Sequence, residues 1–422
     1  MNNFLFISPK FPPSDAIGSK RALNIVRHTN KYGWHPVVLA APVPKHEHDN
    51  SMVKLLPENS TAFYQFTSAI PKTSSEVKPL KSKTNSFLKK LANKGPYYTP
   101  FDQHLSQVPA AIRAGKKLIM EYRPDFILVN ADPWSGLLVG HLLSKWANIP
   151  WVADLRDPWS LHAFKMALRP WPIKKLINYF ESVFFHSASM VILNTRTCCA
   201  AYQDKYRASL DKSRFTCIRN AFDPECYEKP DNNYARSVFS LHYFGSFRIY
   251  QDSGPLFELF RQFVLKHQLN PVEAELVLYG ESRDEERELL QSLNIMPYIR
   301  YHNSVNLGNT LISLSQASVL VLVEGPNKRM QLPAKLYDYL AARKPVLALT
   351  DNTELAEIIN TTRSGVVASY LDTDDALCKL EQLYFERSRP WHFNDAEITH
   401  YSVDYQIKEF VRIFDEIKML RA

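Results

Sequence analysis

The chain has 422 residues, 45% hydrophobic and 22% charged, with a formal net charge of +8. That composition excludes a disordered chain and supplies apolar material for two cores. Five cysteines without a C-x-x-C pair exclude zinc-finger and disulfide frameworks, and no run approaches the ~18–20 apolar residues of a bilayer span.

Residues 3–8 (NFLFIS) read as a buried strand. Residues 9–19 form a loop with three prolines and one glycine. Residues 20–32 then carry helical apolar spacing (Ala22, Leu23, Ile25, Val26), and residues 36–41 (PVVLAA) read as a second strand. Strand, loop, helix and strand in succession make a βαβ unit, which builds parallel sheets. The opening MNNFLFISPKF lacks the basic start and long apolar run of a signal peptide, so a cytoplasmic protein is expected. The pattern recurs with strands at 126–130 (FILVN), 151–154, 190–194 (MVILN) and 216–219, and a helix at 135–146.

A second series starts after Pro230. Strands are predicted at 240–244, 275–279 (ELVLY), 319–323 (VLVLV) and 345–349 (PVLAL), and helices at 256–266, 285–293 and 335–342. The chain is therefore expected to be α/β, with Rossmann-like parallel-sheet lobes at 1–225 and 226–399. A last helix in 400–422 is expected to return to the first lobe.

Charge is unevenly placed. Residues 1–220 hold 30 Lys/Arg against 14 Asp/Glu, a balance of +16, and residues 221–422 hold 21 against 29, a balance of −8. A basic half predicts an anionic partner, whether nucleic acid, the cytoplasmic leaflet or a phosphate-bearing acceptor; a solvated surface gives the same count. Two segments interrupt the first lobe. Residues 72–94 are polar and basic. Residues 164–180 mix Lys165, Arg169, Lys174 and Lys175 with aromatic and aliphatic side chains, which suits an interfacial helix as well as one packed on its own domain.

Open α/β sheets bind ligands beyond the carboxyl ends of their strands, so two lobes facing a central cleft put strand-end loops at the site. In the second lobe the loop after 319–323 leads into residues 331–350 (QLPAKLYDYLAARKPVLALT). Pro333 stands where a helix's first turn begins, and the N–H groups around Ala334, Lys335 and Leu336 can face an anion. Lys335 adds a full charge. Asp338, on the same face, can accept ribose hydroxyl hydrogen bonds; a plain amphipathic helix with an i,i+3 ion pair fits the same spacing. The thirteen histidines form no H-x-x-x-H. His46 and His48 sit in a polar loop beside Asp49, and the D-x-D of Asp372 and Asp374 in an acidic turn, so no metal site is predicted.

Residues 331–350 resemble the donor-site motif of family 4 glycosyltransferases, a retaining family of the GT-B fold. Residues 9–21 (PKFPPSDAIGSKR) resemble its first-lobe loop. Residues 123–136 (RPDFILVNADPWSG) and 149–160 (IPWVADLRDPWS) resemble its strand-end loops, and 219–227 (RNAFDPECY) resembles its junction between lobes.

The resemblance implies that Lys335, with the backbone at Pro333, Ala334 and Leu336, holds a donor diphosphate. Asp338 takes the place of the second acid of an E-x7-E motif and binds the ribose. Met330 replaces the first acid, which leaves the sugar open. Ser246 and Gln251 stand where the family has a phosphate-binding Arg/Lys pair, so the donor loop is expected to use Gly245, Gln251 and the charge of Arg248. Gly18 falls beside the donor phosphate, and Ser19, Arg21 and Asp132 near the acceptor. Arg156 and Asp157 replace a His-Asp pair as the catalytic candidates, positioning the acceptor or the sugar without acting as nucleophile.

The implied donor is a UDP- or GDP-linked sugar, with no metal or other cofactor. The implied acceptor is a glycan or a lipid-diphosphate-linked glycan, as in O-antigen, capsule or exopolysaccharide synthesis at the cytoplasmic face of the inner membrane. Peripheral contact with anionic membrane through the basic lobe is expected, and nucleic acid is not. Three alternatives fit parts of the chain. A nucleotide-sugar epimerase of GT-B fold is disfavoured by ADLRDPW. A non-catalytic nucleotide-sugar binder is favoured by Met330. A nucleic-acid-binding protein would use residues 72–94, but the sequence holds no aromatic-basic module for RNA.

Overall fold

A computed structural model describes the chain except residues 1, 15, 44–47, 58–60, 64–94, 132, 228–237, 248–252, 304, 306–308, 326–328 and 420–422. The whole basic stretch at 72–94 lies in that excepted part, as do the last residues of the chain. The described chain divides into two compact units, residues 1–218 with 407–422, and residues 219–406. The division falls at Ile218 and Arg219, ahead of the expected 225.

In the first unit the strands are β1 (Asn2–Ile7), β2 (Trp34–Leu39), β3 (Thr61–Phe63), β4 (Phe126–Ala131), β5 (Trp151–Leu155), β6 (Met190–Leu193) and β7 (Phe215–Cys217). Its helices are α1 (Ile17–His28), α2 (Asn50–Lys54), α3 (Val108–Tyr122), α4 (Ser135–Ala147), α5 (Ala163–Ala167), α6 (Trp171–Ser187) and α7 (Arg196–Tyr206). The strands form one sheet in the order β3-β2-β1-β4-β5-β6-β7, and every pairing is parallel. The order reverses between β1 and β4, so the loops that follow these two strands flank the switch point where such sheets take ligands.

The second unit holds β8 (Phe239–Phe244), β9 (Ala274–Tyr279), β10 (Ile299–His302), β11 (Val319–Glu324), β12 (Val346–Thr350) and β13 (Gly365–Ala368). Its helices are α8 (Gly254–Lys266), α9 (Asp284–Ser292), α10 (Thr310–Ser315), α11 (Lys335–Ala342), α12 (Thr353–Thr361), α13 (Thr373–Glu386) and α14 (Asp395–Thr399). The parallel order β10-β9-β8-β11-β12-β13 puts its switch point between β8 and β11. The last helix, α15 (Val403–Met419), starts in the second unit and ends in the first.

Near-continuous apolar runs explain the central strands. All six residues of β4 and of β11 are buried, as a parallel strand covered on both faces requires. Phe4 on β1 pairs in register with Phe126 on β4, and their rings stack at 5.3 Å. Phe414 of α15 lies 4.8 Å from Phe126, and Trp34 Nε1 donates to Asp415 Oδ1 at 2.9 Å. Phe410, Ile413, Phe414 and Ile417 are all buried, at helical spacing. Burying these side chains contributes roughly 1.5–3 kcal/mol each to holding α15 in place.

Candidate functional site

In the first lobe the loop after β1 carries the cis Pro12–Pro13 peptide and leads into α1. Helix α1 has no side-chain cap and no acid in its first turn, so its positive end is uncompensated from within. Gly18 lies in that turn. A Cβ there would stand 3.0 Å from Arg156 Nη1, so a side chain at this position would press the Arg156 guanidinium back from the helix start by a few tenths of an ångström. Arg156 Nη2 donates to Asp157 Oδ2 at 3.0 Å, with both side chains mostly buried. The candidate pair is thus an ion pair at the end of β5.

The next residues of that loop are held from within the lobe. Glu181 of α6 is fully buried and accepts from Ser160 N at 2.9 Å and Ser160 Oγ at 2.6 Å. It also accepts from Tyr202 Oη at 3.0 Å, Tyr206 Oη at 3.0 Å and Lys205 Nζ at 2.6 Å. Tyr202 Oη in turn accepts from Trp159 N at 2.8 Å. Burial and the Glu181 carboxylate push both phenols up from the ordinary tyrosine value. No sequence signal marks this clamp, because its members come from two helices beyond the motif.

The structure corrects one acceptor assignment. Arg21 is 6% exposed, and its Nε and Nη2 form a fork on Asp154 at 2.8 and 2.7 Å. Its Nη2 also donates to Ile218 O at 3.0 Å, and the guanidinium lies over the Phe410 ring. A bidentate, desolvated guanidinium is committed to holding α1 on β5. Ser19 is fully buried, its N–H donating to Ala16 O at 2.8 Å and its hydroxyl without a partner among the described residues. Asp132 lies outside the described residues.

In the second lobe α11 starts at Lys335 without a side-chain cap. Pro333 and Leu332 are buried ahead of it. The Tyr339 hydroxyl locks the helix to the sheet by accepting from Phe244 N at 3.3 Å and donating to Val321 O at 3.2 Å. Leu336 is fully buried, and its N–H donates to Pro333 O at 3.0 Å. That corrects the expectation that its amide faces an anion; the first turn is tight and uses it internally. Ala334 and Lys335 remain at the helix start, half-buried.

Lys335 Nζ sits 3.7 Å from the centre of the Tyr243 ring, which stacks on Phe247 at 4.1 Å. Between these aromatics Gly245 turns at φ +107°, in the region that favours glycine. The Lys335 ammonium is 3.9 Å from where a Gly245 Cβ would stand, so the two predicted donor residues come together. Ser246 closes the same turn, its Oγ accepting from Glu281 N at 2.9 Å. Arg248 and Gln251 lie outside the described residues.

Asp338, one turn into α11, is half-buried and accepts from Tyr227 Oη at 2.5 Å. Burial and this carboxylate push the Tyr227 phenol well up. Asn352 caps α12 by accepting from Glu354 N and Leu355 N, and its Nδ2 donates to Gln331 O at 2.9 Å. It thereby anchors the start of the 331–350 segment. Asp372 caps α13, accepting from Asp375 N at 3.0 Å. Among the described residues no helix is long and apolar enough to cross a membrane.

Residues 19–226 match the family model described as Glycosyltransferase Family 4. No curated protein matches the sequence. Among solved structures, the chain is similar to sucrose-phosphate synthase from Thermosynechococcus elongatus, with TM-score 0.67, 14% identity and 99% of each chain covered. It is also similar to α,α-trehalose 6-phosphate synthase from Burkholderia multivorans, with TM-score 0.66, 13% identity and 100% of each chain covered. HepE from Anabaena, solved in complex with UDP-glucose, gives TM-score 0.64 and 12% identity over 99% of this chain and 100% of that one. At such identities the likeness shows the fold.

Proposed function

We propose that this chain, whose first lobe belongs to glycosyltransferase family 4 and whose two sheets make the GT-B fold, is a retaining transferase that moves a sugar from a nucleoside diphosphate to a glycan or lipid-diphosphate-linked acceptor. The observation that carries this reading is the Lys335 ammonium at the uncapped start of α11, against the glycine turn of Gly245. A lysine, a helix start and a tight glycine turn together suit a diphosphate. Asp338, one turn on, suits a ribose.

In this reading the bond from the anomeric carbon to the diphosphate oxygen breaks and a bond to the acceptor oxygen forms on the same face. The acceptor's proton passes to the leaving phosphate oxygen. Lys335 and the helix start stabilise the charge that develops there, the electrostatic contribution that is commonly the largest. Asp157, fixed by Arg156, positions acceptor or sugar. No metal or other cofactor is required, so EDTA is expected to leave transfer intact.

The donor is a UDP- or GDP-sugar, and the UDP-glucose bound to the structurally similar HepE supports uridine. The setting is cell-surface polysaccharide synthesis at the cytoplasmic face of an anionic membrane. The charge of +16 on residues 1–220 supports that contact. Thermal shift with UDP, GDP, ADP and their sugars tests the reading, because a ligand that binds the folded state raises its melting temperature. UDP or GDP is expected to stabilise the chain and ADP is not. Silence toward every nucleotide would overturn the reading.

A further inference from the structure

The corner formed by α5 and α6 carries an unusual surface. Phe164, Leu168, Trp171, Leu176 and Tyr179 are exposed within sixteen residues, Trp171 by 65% and Tyr179 by 62%. Exposed apolar side chains are ordinary when scattered singly and informative when gathered. Here they are gathered and interleaved with Lys174 and Lys175, whereas Lys165 turns inward, its Nζ 5.7 Å over the buried Trp134 ring. Residues 158–180 contain no Asp or Glu. The next acid along the chain, Glu181, is buried in its clamp.

The exposure does not come from a loosely attached helix. Arg169, at the corner, donates from Nη1 to Thr99 O at 2.6 Å. Phe180 packs on Phe101 at 5.0 Å, and Ile177 and Phe184 are buried beneath. The Lys175 ammonium lies 4.1 Å over the Trp171 ring, its stem along the exposed face.

We infer that this face of α5 and α6 inserts Leu168, Trp171, Leu176 and Tyr179 among the headgroups of an anionic lipid surface, while Lys174 and Lys175 pair with lipid phosphates. Tryptophan, tyrosine and lysine are the residues favoured at a bilayer interface, whereas lysine is depleted at protein interfaces. The surface thus suits lipid better than a protein partner. The inference deepens the membrane reading given above and rests on it for its purpose, which is to bring the first lobe to a membrane-held acceptor. Contact is made by insertion at one built face and not by net charge alone.

The full chain, without donor or acceptor, is floated with phosphatidylglycerol–phosphatidylcholine vesicles and with phosphatidylcholine alone. Binding to the anionic vesicles only is expected. K174Q/K175Q is expected to weaken partitioning by roughly thirtyfold, from about one lipid-surface contact per lysine. L168S/W171S/Y179S is expected to weaken it by at least roughly tenfold with all lysines kept. Leu168, Trp171, Lys175 and Tyr179 are exposed and Lys174 is half-buried, so the variants should melt close to the parent. Failure of the parent to bind, serine variants that bind as tightly as the parent, or capture of single-stranded RNA in preference to vesicles would each overturn the inference. Transfer to a water-soluble acceptor is read separately. Vesicle binding without transfer would sink the transferase reading and leave the docking face standing; transfer without vesicle binding would do the reverse.

Discussion

The phenol of Tyr227 donates a 2.5 Å hydrogen bond to Asp338 Oδ1, tying the last residue of the 219–227 segment to the carboxylate of α11. One oxygen of the ribose candidate is thereby fixed before any ligand arrives. Asp338→Ala should weaken UDP or GDP binding by roughly ten- to a hundredfold, the worth of hydrogen bonds to a charged group. It should also cost about 1–3 kcal/mol of stability, because the buried Tyr227 hydroxyl loses its acceptor. Tyr227→Phe should cost about 1 kcal/mol, since the half-buried carboxylate can turn to water. Titration calorimetry and thermal melts on both variants separate the two effects.

Lys335 supplies the full positive charge at the start of α11, held over Tyr243. Lys335→Gln keeps length and polarity but loses the charge. Nucleoside diphosphate affinity should fall by roughly ten- to a hundredfold, and nucleoside affinity should barely change. If diphosphate and nucleoside weaken equally, the ammonium is not the phosphate anchor.

Asp157 pairs with Arg156 at 3.0 Å, and the residues just beyond are clamped by Glu181. Asp157→Asn should lower kcat at least tenfold, with nucleotide affinity retained, as expected for a group that orients reactants. Glu181→Gln should lower kcat as well, with a drop in melting temperature that Asp157→Asn lacks. Full activity in Asp157→Asn would remove it from the machinery.

Arg21 distinguishes a structural cation from a binding one. Its fork on Asp154 is nearly sealed from water, with side chains 5% and 0% exposed. Arg21→Ala should destabilise the first lobe by about 3–5 kcal/mol, the cost of leaving a buried partner uncompensated. Denaturant unfolding measures this. A stable Arg21→Ala enzyme with a raised acceptor KM would restore the acceptor role.

Four phenols set the alkaline limit. Tyr202, Tyr206, Tyr227 and Tyr339 are all raised above the ordinary 10.0, first by burial. A raised folded value means that the folded chain keeps protons the unfolded chain releases. Their contribution is therefore fully present below pH 10.0 and is lost as pH rises above it. Far-ultraviolet dichroism against pH should show cooperative unfolding in that range together with tyrosinate absorbance. Tyr206→Phe should move the midpoint upward.

Sequence patterning determined the two α/β halves, because central parallel strands are buried on both faces and read as apolar runs. All ten strands legible in that way are present. The three strands that were not legible, β3, β10 and β13, are all sheet edges; three of the four residues of β10 are exposed. An edge strand is covered less and carries less pattern. Helix α1 begins earlier than its apolar spacing suggested, because Gly18 and Ser19 join it without an apolar signature. The sequence also marked the local segments that are candidates for ligand chemistry, since Lys335, Asp338 and Gly245 declare themselves through a helix start and a glycine turn. Tertiary structure alone decided which polar groups are already spent. Arg21 is consumed by Asp154, Leu336 N by Pro333 O and half of Asp338 by Tyr227, and Glu181 and Asn352 enter as anchors. The reason is physical: a side chain's type fixes what it can bond, whereas burial beside a partner distant in sequence fixes what it does bond.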